Sequence, residues 1–223
     1  MRIAEIFYSI QGEGSLVGVP SLFVRTSGCN LRCSWCDTPY TSWNPEGEDY
    51  TIERILAEVE ACPARHVVVT GGEPMIAREI VDLTRRLRER GRHITIETAG
   101  TVYAPVACDL MSISPKLANS TPEGAWAARH ASLRIQPEVL KRLMAAYPCQ
   151  LKFVIARAED MPEVRDLLRA LDADPGKVIL MPEGTSAEVL RERSVWLAEI
   201  CKQESFRFSP RLHVDLYGNR RGT

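Results

Sequence analysis

The chain has 223 residues, of which 45% are hydrophobic and 26% are charged, and its formal net charge is -1. This composition is typical of a soluble globular protein, and the length fits a single domain over residues 1–223. A nearly neutral chain gives no electrostatic reason to bind nucleic acid or an anionic membrane surface. These properties argue against a nucleic-acid-binding or membrane-surface protein.

The beginning of the chain has an early acidic residue, Glu5, and no apolar stretch like that of a secretory signal. Apolar runs elsewhere, such as residues 67–69, are far shorter than a membrane-spanning helix. We therefore expect a cytoplasmic protein that binds no membrane.

Six short segments are apolar runs rich in Val, Ile, Leu or Phe, the pattern of parallel strands covered on both faces. They are residues 21–25, 66–70, 93–97, 110–114, 150–156 and 177–181. Less regular sequence follows at residues 116–136, where we expect a loop over the site. Residues 211–217 are predicted to form a final edge strand.

Helices with one apolar face are predicted between these strands. Their apolar positions are Ile52, Ile55, Leu56, Val59, Ile80, Leu83, Leu87, Val164, Leu167, Leu168 and Leu171. Gly91 is predicted to end one helix and Pro162 to open another. Thr185 and Glu188 have the spacing of a capping box at the start of the last long helix.

Alternation of strands and helices predicts an α/β fold with a parallel sheet. A closed barrel of eight such units usually needs about 250 residues. Six units therefore predict an incomplete (partial) parallel α/β barrel of about six strands, or a doubly wound open sheet.

Three of the seven cysteines, Cys29, Cys33 and Cys36, lie within eight residues and have the spacing C-x3-C-x2-C. Three thiolates at this spacing can hold three corners of a 4Fe–4S cluster and leave the fourth iron open for a ligand. A zinc site is the alternative, but it usually takes four ligands, and no second C-x2-C or zinc-finger histidine follows. The scattered cysteines are interpreted as buried small apolar residues; they are Cys62, Cys108, Cys149 and Cys201.

Residues 70–74, Thr-Gly-Gly-Glu-Pro, follow the second predicted strand. Two glycines allow a backbone to approach a ligand closely, and Glu73 offers an acceptor for an ammonium group. The alternative is an ordinary tight turn between a strand and a helix.

The cysteine spacing, with the aromatic Trp35 before the last cysteine, is similar to the signature of the radical S-adenosylmethionine superfamily. Residues 71–74 resemble the GGEP motif of that superfamily. The resemblance implies a full or partial parallel α/β barrel, a 4Fe–4S cluster and S-adenosylmethionine. In such enzymes the open iron binds the amino and carboxylate groups of S-adenosylmethionine, and reduction yields a 5′-deoxyadenosyl radical.

Within the superfamily, residues 7–14 (Phe-Tyr-Ser-Ile-Gln-Gly-Glu-Gly) and 23–25 closely resemble the 7-carboxy-7-deazaguanine synthase family. The similarity continues in order through residues 97–101, 114–116, 151–154, 181–184 and 212–213. A phosphate-binding loop is a weaker interpretation of the glycine-rich run, which has no predicted strand before it, no helix directly after it and no Walker lysine.

In two respects the chain departs from the family. Ala99 stands where relatives often have Asn, and an insert that some relatives have between the first two cysteines, relevant to recognition of the reductant, is absent.

The resemblance implies a radical S-adenosylmethionine carbon–nitrogen lyase of 7-deazapurine (queuosine-type) biosynthesis. Its substrate would be 6-carboxy-5,6,7,8-tetrahydropterin, its products 7-carboxy-7-deazaguanine and ammonia, and S-adenosylmethionine would be regenerated. Mg²⁺ would be a further cofactor, bound by Thr38. The implied partners are a flavodoxin- or ferredoxin-type reductant and a second copy of the chain in a homodimer.

By the same resemblance, Cys29, Cys33 and Cys36 are the catalytic cluster ligands. The residues implied for S-adenosylmethionine are Trp35, Cys36, Asp37, Gly72, Glu73, Glu97, Ser114, Pro115, Lys116, Met181, Pro182, Glu183 and Gly184. The residues implied for the pterin are Ile10, Gln11, Gly12, Glu13, Arg25, Thr70 and His213. Arg25 lies among apolar neighbours, where an unpaired cation is costly, so its position itself favours a bound anion.

Two other functions remain open on the sequence. A glycyl-radical-activating enzyme would share the cysteines and the GGEP motif, but it would have no use for the pterin-binding residues 11–13. A non-enzymatic zinc or iron–sulfur module would need only the cysteines.

Overall fold

Nine strands form one sheet in the computed structural model, which describes residues 1–223. They are β1 (Arg2–Ile10), β2 (Pro20–Thr26), β3 (Glu48–Asp49), β4 (His66–Gly71), β5 (His93–Thr98), β6 (Leu110–Ile113), β7 (Cys149–Ile155), β8 (Val178–Pro182) and β9 (Arg207–Phe208). Their order in the sheet is β3-β1-β2-β4-β5-β6-β7-β8-β9. The strands from β2 to β9 in this order pair in parallel, while β1 and β3 pair antiparallel. The sheet does not close, so the fold is a partial α/β barrel.

Eight helices connect or flank the strands. They are α1 (Pro39–Ser42), α2 (Ile52–Ala61), α3 (Ile80–Glu89), α4 (Ala127–Leu133), α5 (Pro137–Ala146), α6 (Met161–Leu171), α7 (Ala187–Glu204) and α8 (Leu212–Tyr217). The apolar faces of α2, α3, α5 and α6 are buried, and their side chains join those of the strands in one core cluster of 34 residues. Burial of the central strands explains their continuous apolar sequences.

The six predicted strands are confirmed and correspond to β2, β4, β5, β6, β7 and β8. The helical predictions are also confirmed. Helix α3 ends at Glu89, shortly before Gly91, whose φ of 67° lies in the left-handed region, and Pro162 lies in the first turn of α6. In the last long helix the prediction is one residue early, because Ser186, and not Thr185, is the N-cap and accepts a hydrogen bond from the Val189 amide.

Three strands were not predicted. β3 and β9 have only two residues each, too few for a periodic signal. β1 mixes polar and apolar residues because it lies near one end of the sheet, and of its residues only Ile3 is buried. The glycine-rich run therefore does follow a strand, contrary to expectation.

The predicted edge strand over residues 211–217 is wrong, because this segment forms α8. Arg211 and Val214, three positions apart, are its buried residues, which is a helical spacing. The end of the sheet is instead β9, which pairs with β8.

The expectation of a loop over the site at residues 116–136 is also wrong in part. The segment contains two short 3-10 turns and α4, and only Lys116 among its residues lines the cavity described below. The other residues of this segment do not line the cavity but support the cysteine segment. No helix of the structure is both long enough and apolar enough to span a membrane.

Candidate active site

The carboxyl ends of the parallel strands surround one cavity of about 420 Å³. Strand register brings the site residues together, because Arg25 of β2 pairs directly with Thr70 of β4. Glu97 near the end of β5 and Met181 near the end of β8 line the same cavity. Parallel α/β folds bind their ligands at this end of the sheet, where the loops that follow the strands converge.

Cys29, Cys33 and Cys36 lie in the segment between β2 and α1, and all three line the cavity. Cys33 is buried, the other two are half-buried, and none forms a disulfide. All three are thus unpaired thiols on the cavity wall, as a cluster requires.

Two of the three sulfur atoms have a hydrogen-bonding neighbour. The amide of Leu31 donates to Sγ of Cys29 over 3.4 Å, and the hydroxyl of Ser42 lies 3.2 Å from Sγ of Cys36. Burial raises the pKa of the Cys29 thiol to about 11 and that of Cys33 to about 12. Iron binding must therefore displace protons from the Cys29 and Cys33 thiols, and the Leu31 amide favours the thiolate form of Cys29.

No three His, Cys, Asp or Glu side chains converge on a position for a single metal ion. The alternative of a mononuclear zinc site thus has no ligand set here. A 4Fe–4S cluster makes a different demand, because each thiolate binds its own iron at a separate corner. The three cysteine side chains, all of which line the cavity, are the thiolate donors that such a cluster needs.

A hydrogen-bonded chain of polar side chains forms another part of the cavity wall. The carboxylate of Glu97 accepts from Nε2 of Gln11 (3.0 Å) and from the hydroxyl of Thr70 (2.8 Å). The amide of Glu13 donates to Oε1 of Gln11 (3.1 Å). Glu97, implied for the cofactor by resemblance, is therefore bonded to residues implied for the pterin.

Arg25 has a partner within the chain, so its apolar neighbours alone do not require a bound anion. Its Nε donates to Oε1 of Glu5 over 2.7 Å, and its guanidinium carbon lies 5.4 Å from the centre of the Phe7 ring. The same Glu5 oxygen accepts from the Tyr40 hydroxyl over 2.7 Å. The two terminal nitrogens of Arg25 make no hydrogen bond within the chain and remain available to an anion.

Glu13 lies in a cluster of buried charges. Lys152 of β7 donates to one of its oxygens, and Arg211 donates to the other over 3.0 Å. Arg211 also donates to the carboxylate of Asp37. Burial alone would raise the pKa of Glu13, but the attraction of Lys152 and then of Arg211 outweighs it and holds that pKa far below its ordinary value. The pKa of Asp37 is likewise lowered, because Arg211 overcomes the effect of burial.

Lys116 and Trp35 form another part of the wall. Nζ of Lys116 donates to the carbonyl (2.8 Å) and the hydroxyl (2.9 Å) of Ser114, and it lies 6.0 Å from the centre of the Trp35 ring. The Trp35 indole donates to the carbonyl of Asn119 over 3.0 Å, which fixes the ring. Thr38 also lines the cavity, two residues after Cys36.

The segment 181–184 comprises the last two residues of β8 and the two that follow, and all four line the cavity. Arg193 of α7 donates to both the carbonyl and the carboxylate of Glu183. Gly184 adopts a φ of 149°, which favours glycine.

Two residues expected at the cofactor do not line the cavity, namely Glu73 and Pro115. Glu73 is 1% exposed and accepts from the Met75 amide (3.1 Å), the Thr98 hydroxyl (2.7 Å) and the Ala99 amide (2.8 Å). Burial raises its pKa above the ordinary value. Its contacts are those of a residue that supports the turn after β5.

Gly72 lines the cavity, yet the structure gives it a second requirement. A Cβ there would overlap the carbonyl oxygen of Gly28 and lie 2.7 Å from that of Thr41. Glycine at this position therefore allows the GGEP turn to pack against the backbone at both ends of the cysteine segment.

His213 lies in α8 and meets Gly12 at the edge of the cavity. A Cβ on Gly12 would overlap Nδ1 of His213, and the amide of Leu212 donates to the Gly12 carbonyl over 2.9 Å. Burial lowers the pKa of His213 below its ordinary value. Ile10, at the end of β1, also lines the cavity.

Sequence reasoning missed Lys152 and Arg211, which line the cavity although neither was predicted as a site residue. Lys152 could have been predicted, because a lysine that interrupts an otherwise apolar strand is unusual. In the structure it is only 6% exposed. Arg211 gave none, since its partners Glu13 and Asp37 lie 198 and 174 residues away in the chain. The last five residues, 219–223, also line the cavity and were not predicted to do so.

Similarity to known proteins agrees with this site. Residues 23–125 match the Radical SAM superfamily. The 7-carboxy-7-deazaguanine synthase of Rhodopirellula baltica is 46% identical, with 100% of this chain and 89% of that protein covered. That of Halobacterium salinarum is 46% identical, with 98% and 91% covered. The crystal structure of QueE from Escherichia coli has a TM-score of 0.73 at 28% identity and covers 95% of this chain and 94% of its own.

The fold and the three cavity-lining cysteines therefore define a radical S-adenosylmethionine enzyme, with a 4Fe–4S cluster and S-adenosylmethionine as its cofactors. Within that superfamily, the chain belongs to the 7-carboxy-7-deazaguanine synthase family, with two relatives from different organisms matched over nearly its whole length.

Proposed function

We propose that the chain converts 6-carboxy-5,6,7,8-tetrahydropterin to 7-carboxy-7-deazaguanine and ammonia, a radical ring contraction of 7-deazapurine biosynthesis. The observation that carries the proposal is one cavity with three cluster thiols and, on another part of its wall, the chain Gln11–Glu97–Thr70 beside Arg25. The atoms balance without an external oxidant, because the substrate loses only ammonia. The hydrogen atom that is first removed must therefore be returned.

The cluster and S-adenosylmethionine supply, when bound, a 5′-deoxyadenosyl radical that can remove hydrogen from C6 of the pterin. The chain's residues hold the two partners in reach of each other. We assign to the S-adenosylmethionine side the residues that lie among the cysteines, after β4 and β6, and at the end of β8 and directly after it. They are Trp35, Asp37, Gly72, Ser114, Lys116, Met181, Pro182, Glu183 and Gly184. Glu73 and Pro115 take a supporting role, since neither lines the cavity.

The pterin side has donors and acceptors suited to a pyrimidine edge. Glu13 and Glu97 are acceptors for N–H groups, and the Gln11 amide, with Nε2 committed to Glu97, is oriented by that bond. Arg25 has two free terminal nitrogens for the C6 carboxylate. Ile10, Gly12, Thr70 and His213 complete this side, and Glu97 belongs to it by its contacts.

Mg²⁺ is proposed to bind the hydroxyl of Thr38 together with substrate oxygens and water. The arrangement suits a hard cation that takes few protein oxygens and keeps several waters. Thr38 lines the cavity, two residues after Cys36 and two residues before Tyr40 in the chain, which supports this position.

The electron donor is proposed to be a flavodoxin- or ferredoxin-type protein, because cluster reduction needs a one-electron carrier of low potential. A homodimer and a single domain over residues 1–223 are further expectations. Light scattering of the purified protein measures the first, and a single cooperative unfolding transition supports the second.

An anaerobic assay tests the proposed reaction. The reconstituted protein is mixed with the carboxytetrahydropterin, S-adenosylmethionine, Mg²⁺ and a reductant, and the product is identified by mass and by ammonia release. Replacement of Cys36 by Ala should abolish iron binding and turnover, whereas Cys62→Ala, outside the cavity, should preserve both. Failure of the wild-type protein to bind the pterin would favour a glycyl-radical-activating enzyme instead.

A further inference from the structure

A single guanidinium, that of Arg211, contacts three separate segments of the cavity wall. Its Nε donates to Oε1 of Glu13 over 3.0 Å, and its Nη1 donates to the carbonyl of Gly184 over 2.6 Å. Its Nη2 donates to Oδ2 of Asp37. Each of the three nitrogens of this forked guanidinium thus contacts a different segment of the chain.

The contacted segments belong to both sides of the proposed site. Glu13 belongs to the pterin side, whereas Asp37 and Gly184 belong to the S-adenosylmethionine side. Arg211 itself precedes α8, where His213 contributes to the pterin side. No other side chain of the cavity bonds directly to Glu13 and Asp37 together.

Arg211 is costly to bury, which makes its position informative. Its side chain is 6% exposed, and that of Lys152, which also bonds Glu13, is 7% exposed. Buried ion pairs contribute little net stability unless every partner is hydrogen-bonded, and apolar replacements are often as stable. A purely structural role would not need a cation with one contact on each of three ligand-binding segments.

We propose that Arg211 is a positioning residue that couples the binding of S-adenosylmethionine to the binding of the pterin. The inference rests on the proposed function and extends it. A ligand that orders Asp37 and Gly184 orders the guanidinium, and the guanidinium in turn orders Glu13. The second ligand then meets a wall that is already ordered, so its binding costs less and its affinity rises.

Lysine cannot replace this fork. An ammonium is a point charge on one nitrogen, whereas a guanidinium presents donors in three fixed directions within one plane. Arg211→Lys therefore preserves the positive charge but loses simultaneous contact with Glu13, Asp37 and Gly184. It separates the effect of geometry from that of charge.

The experiment measures affinities rather than turnover, with cluster-loaded, unreduced protein under anaerobic conditions. The Kd of the pterin is measured with and without saturating S-adenosylmethionine, and the Kd of S-adenosylmethionine with and without the pterin. Coupling requires the same ratio in both directions, and we expect at least about fivefold for the wild type. In Arg211→Lys the ratio should fall towards one.

Arg92→Gln is the matched control. Arg92 is a half-buried arginine whose guanidinium donates to the carbonyls of Ala64 and Val59, away from the cavity. The control should retain the wild-type ratio. Iron content and thermal stability are recorded for each protein.

Should Arg211→Lys fail to load its cluster, Asp37→Asn is used instead. This variant weakens one of the three contacts of the Arg211 guanidinium. Coupling is a ratio, so it is independent of the affinity that the variant loses directly. A wild type that binds both ligands without coupling, or a variant that keeps the ratio, overturns the role of Arg211 alone. A wild type that binds no pterin overturns the proposed function and this inference with it.

Discussion

At the scale of single residues, the pairing of Arg25 decides how it can recognise an anion. The Glu5 carboxylate accepts a hydrogen bond from Nε of Arg25, which orients the plane of the guanidinium. The side chain is 17% exposed, which leaves the free nitrogens little competition from water. A carboxylate bound by both terminal nitrogens would then be held in position and orientation, with its C6 neighbour fixed for hydrogen abstraction.

We therefore expect Arg25→Lys to lower turnover, by up to about a hundredfold if the reacting carbon moves by about 1 Å. Arg25→Ala should lower it further, with iron content unchanged in both variants. The affinity of wild type for a pterin without the C6 carboxylate should be poor, and Arg25→Ala should discriminate much less between the two pterins. If both pterins lose affinity equally on mutation, Arg25 is structural.

Thr38 is the residue proposed to bind Mg²⁺, but its oxygens also have local contacts. The Thr41 hydroxyl donates to the carbonyl of Thr38 over 2.9 Å and lies 3.4 Å from its hydroxyl. Loss of one protein ligand should weaken Mg²⁺ binding without loss of the cluster.

Thr38→Ala should accordingly need a higher Mg²⁺ concentration for half-maximal activity, while its iron content stays at the wild-type level. Thr51→Ala serves as a control, because Thr51 caps α2 outside the cavity. An unchanged Mg²⁺ titration of Thr38→Ala would remove Thr38 from the metal site.

Residues with local motifs could be predicted from the sequence, whereas residues that act through distant partners could not. The cysteines and the run 11–13 carry their chemistry in a few consecutive positions. Glu73 has a motif as well, but its three internal hydrogen bonds, and hence its withdrawal from the cavity, depend on how β4 and β5 pair. Arg211 depends on contacts that only the complete fold creates.

At the scale of elements, α8 and the run after β1 form one wall of the site. The contact between them is tight at Gly12, where any side chain would overlap His213 and where the His213 amide lies 2.8 Å from a Cβ position. The Leu212 amide is bonded to the Gly12 carbonyl, so α8 cannot retreat without loss of that bond. Glycine at this position is therefore required for α8 to dock.

Gly12→Ala should displace α8 and weaken pterin binding by at least about tenfold, equivalent to about 1.4 kcal/mol, with little effect on iron content. Gly176→Ala is the matched control, because a Cβ there meets only Asp174, at 3.2 Å or more, and the turn lies outside the cavity. The Kd of the pterin measures both. Wild-type affinity in Gly12→Ala would show that α8 does not shape the pterin side.

The segment 211–217, wrongly predicted as a strand, shows why the type of a short secondary-structure element is hard to predict from sequence. Val and Tyr in this segment favour a strand on propensity, and six residues are too few to establish a helical period. The docking of α8 on Gly12 and the burial of Val214 favour the helix over a strand. Strands such as β4 and β7, which are buried on both faces, have no such ambiguity.

At the scale of the whole molecule, the cysteine segment is supported from a segment almost one hundred residues away. The Arg32 amide donates to Nδ1 of His130 over 3.1 Å, and the Ser34 amide donates to the carbonyl of Ser120 over 2.9 Å. The aromatic ring of Trp126 lies 4.5 Å from the Arg32 guanidinium. The segment 116–136, expected to cover the site, instead holds the cysteine segment in place.

His130 makes this support sensitive to pH. It is 1% exposed, and its Nε2 lies 2.9 Å from the Ser120 hydroxyl, whose own hydrogen is donated to the Leu117 carbonyl. Nε2 must therefore carry the proton, and Nδ1 accepts from Arg32. Protonation of Nδ1 would bring two donors face to face, and burial already lowers the pKa of His130 below its ordinary value.

The sign of the effect follows from linkage. Because the pKa is lower in the folded state, the unfolded state binds the proton first, and the contribution of His130 to stability is complete above pH 6.5. It is lost as the pH falls below 6.5 towards the folded pKa. We expect the free energy of unfolding of the iron-free, reduced protein to fall over this window. In His130→Asn, which keeps one acceptor and one donor, the fall should be shallower, while between pH 7.5 and 8.5 the two proteins should change in parallel. Urea unfolding at each pH measures the difference, and equal slopes between pH 7 and 5.5 would show that His130 is not protonated on unfolding.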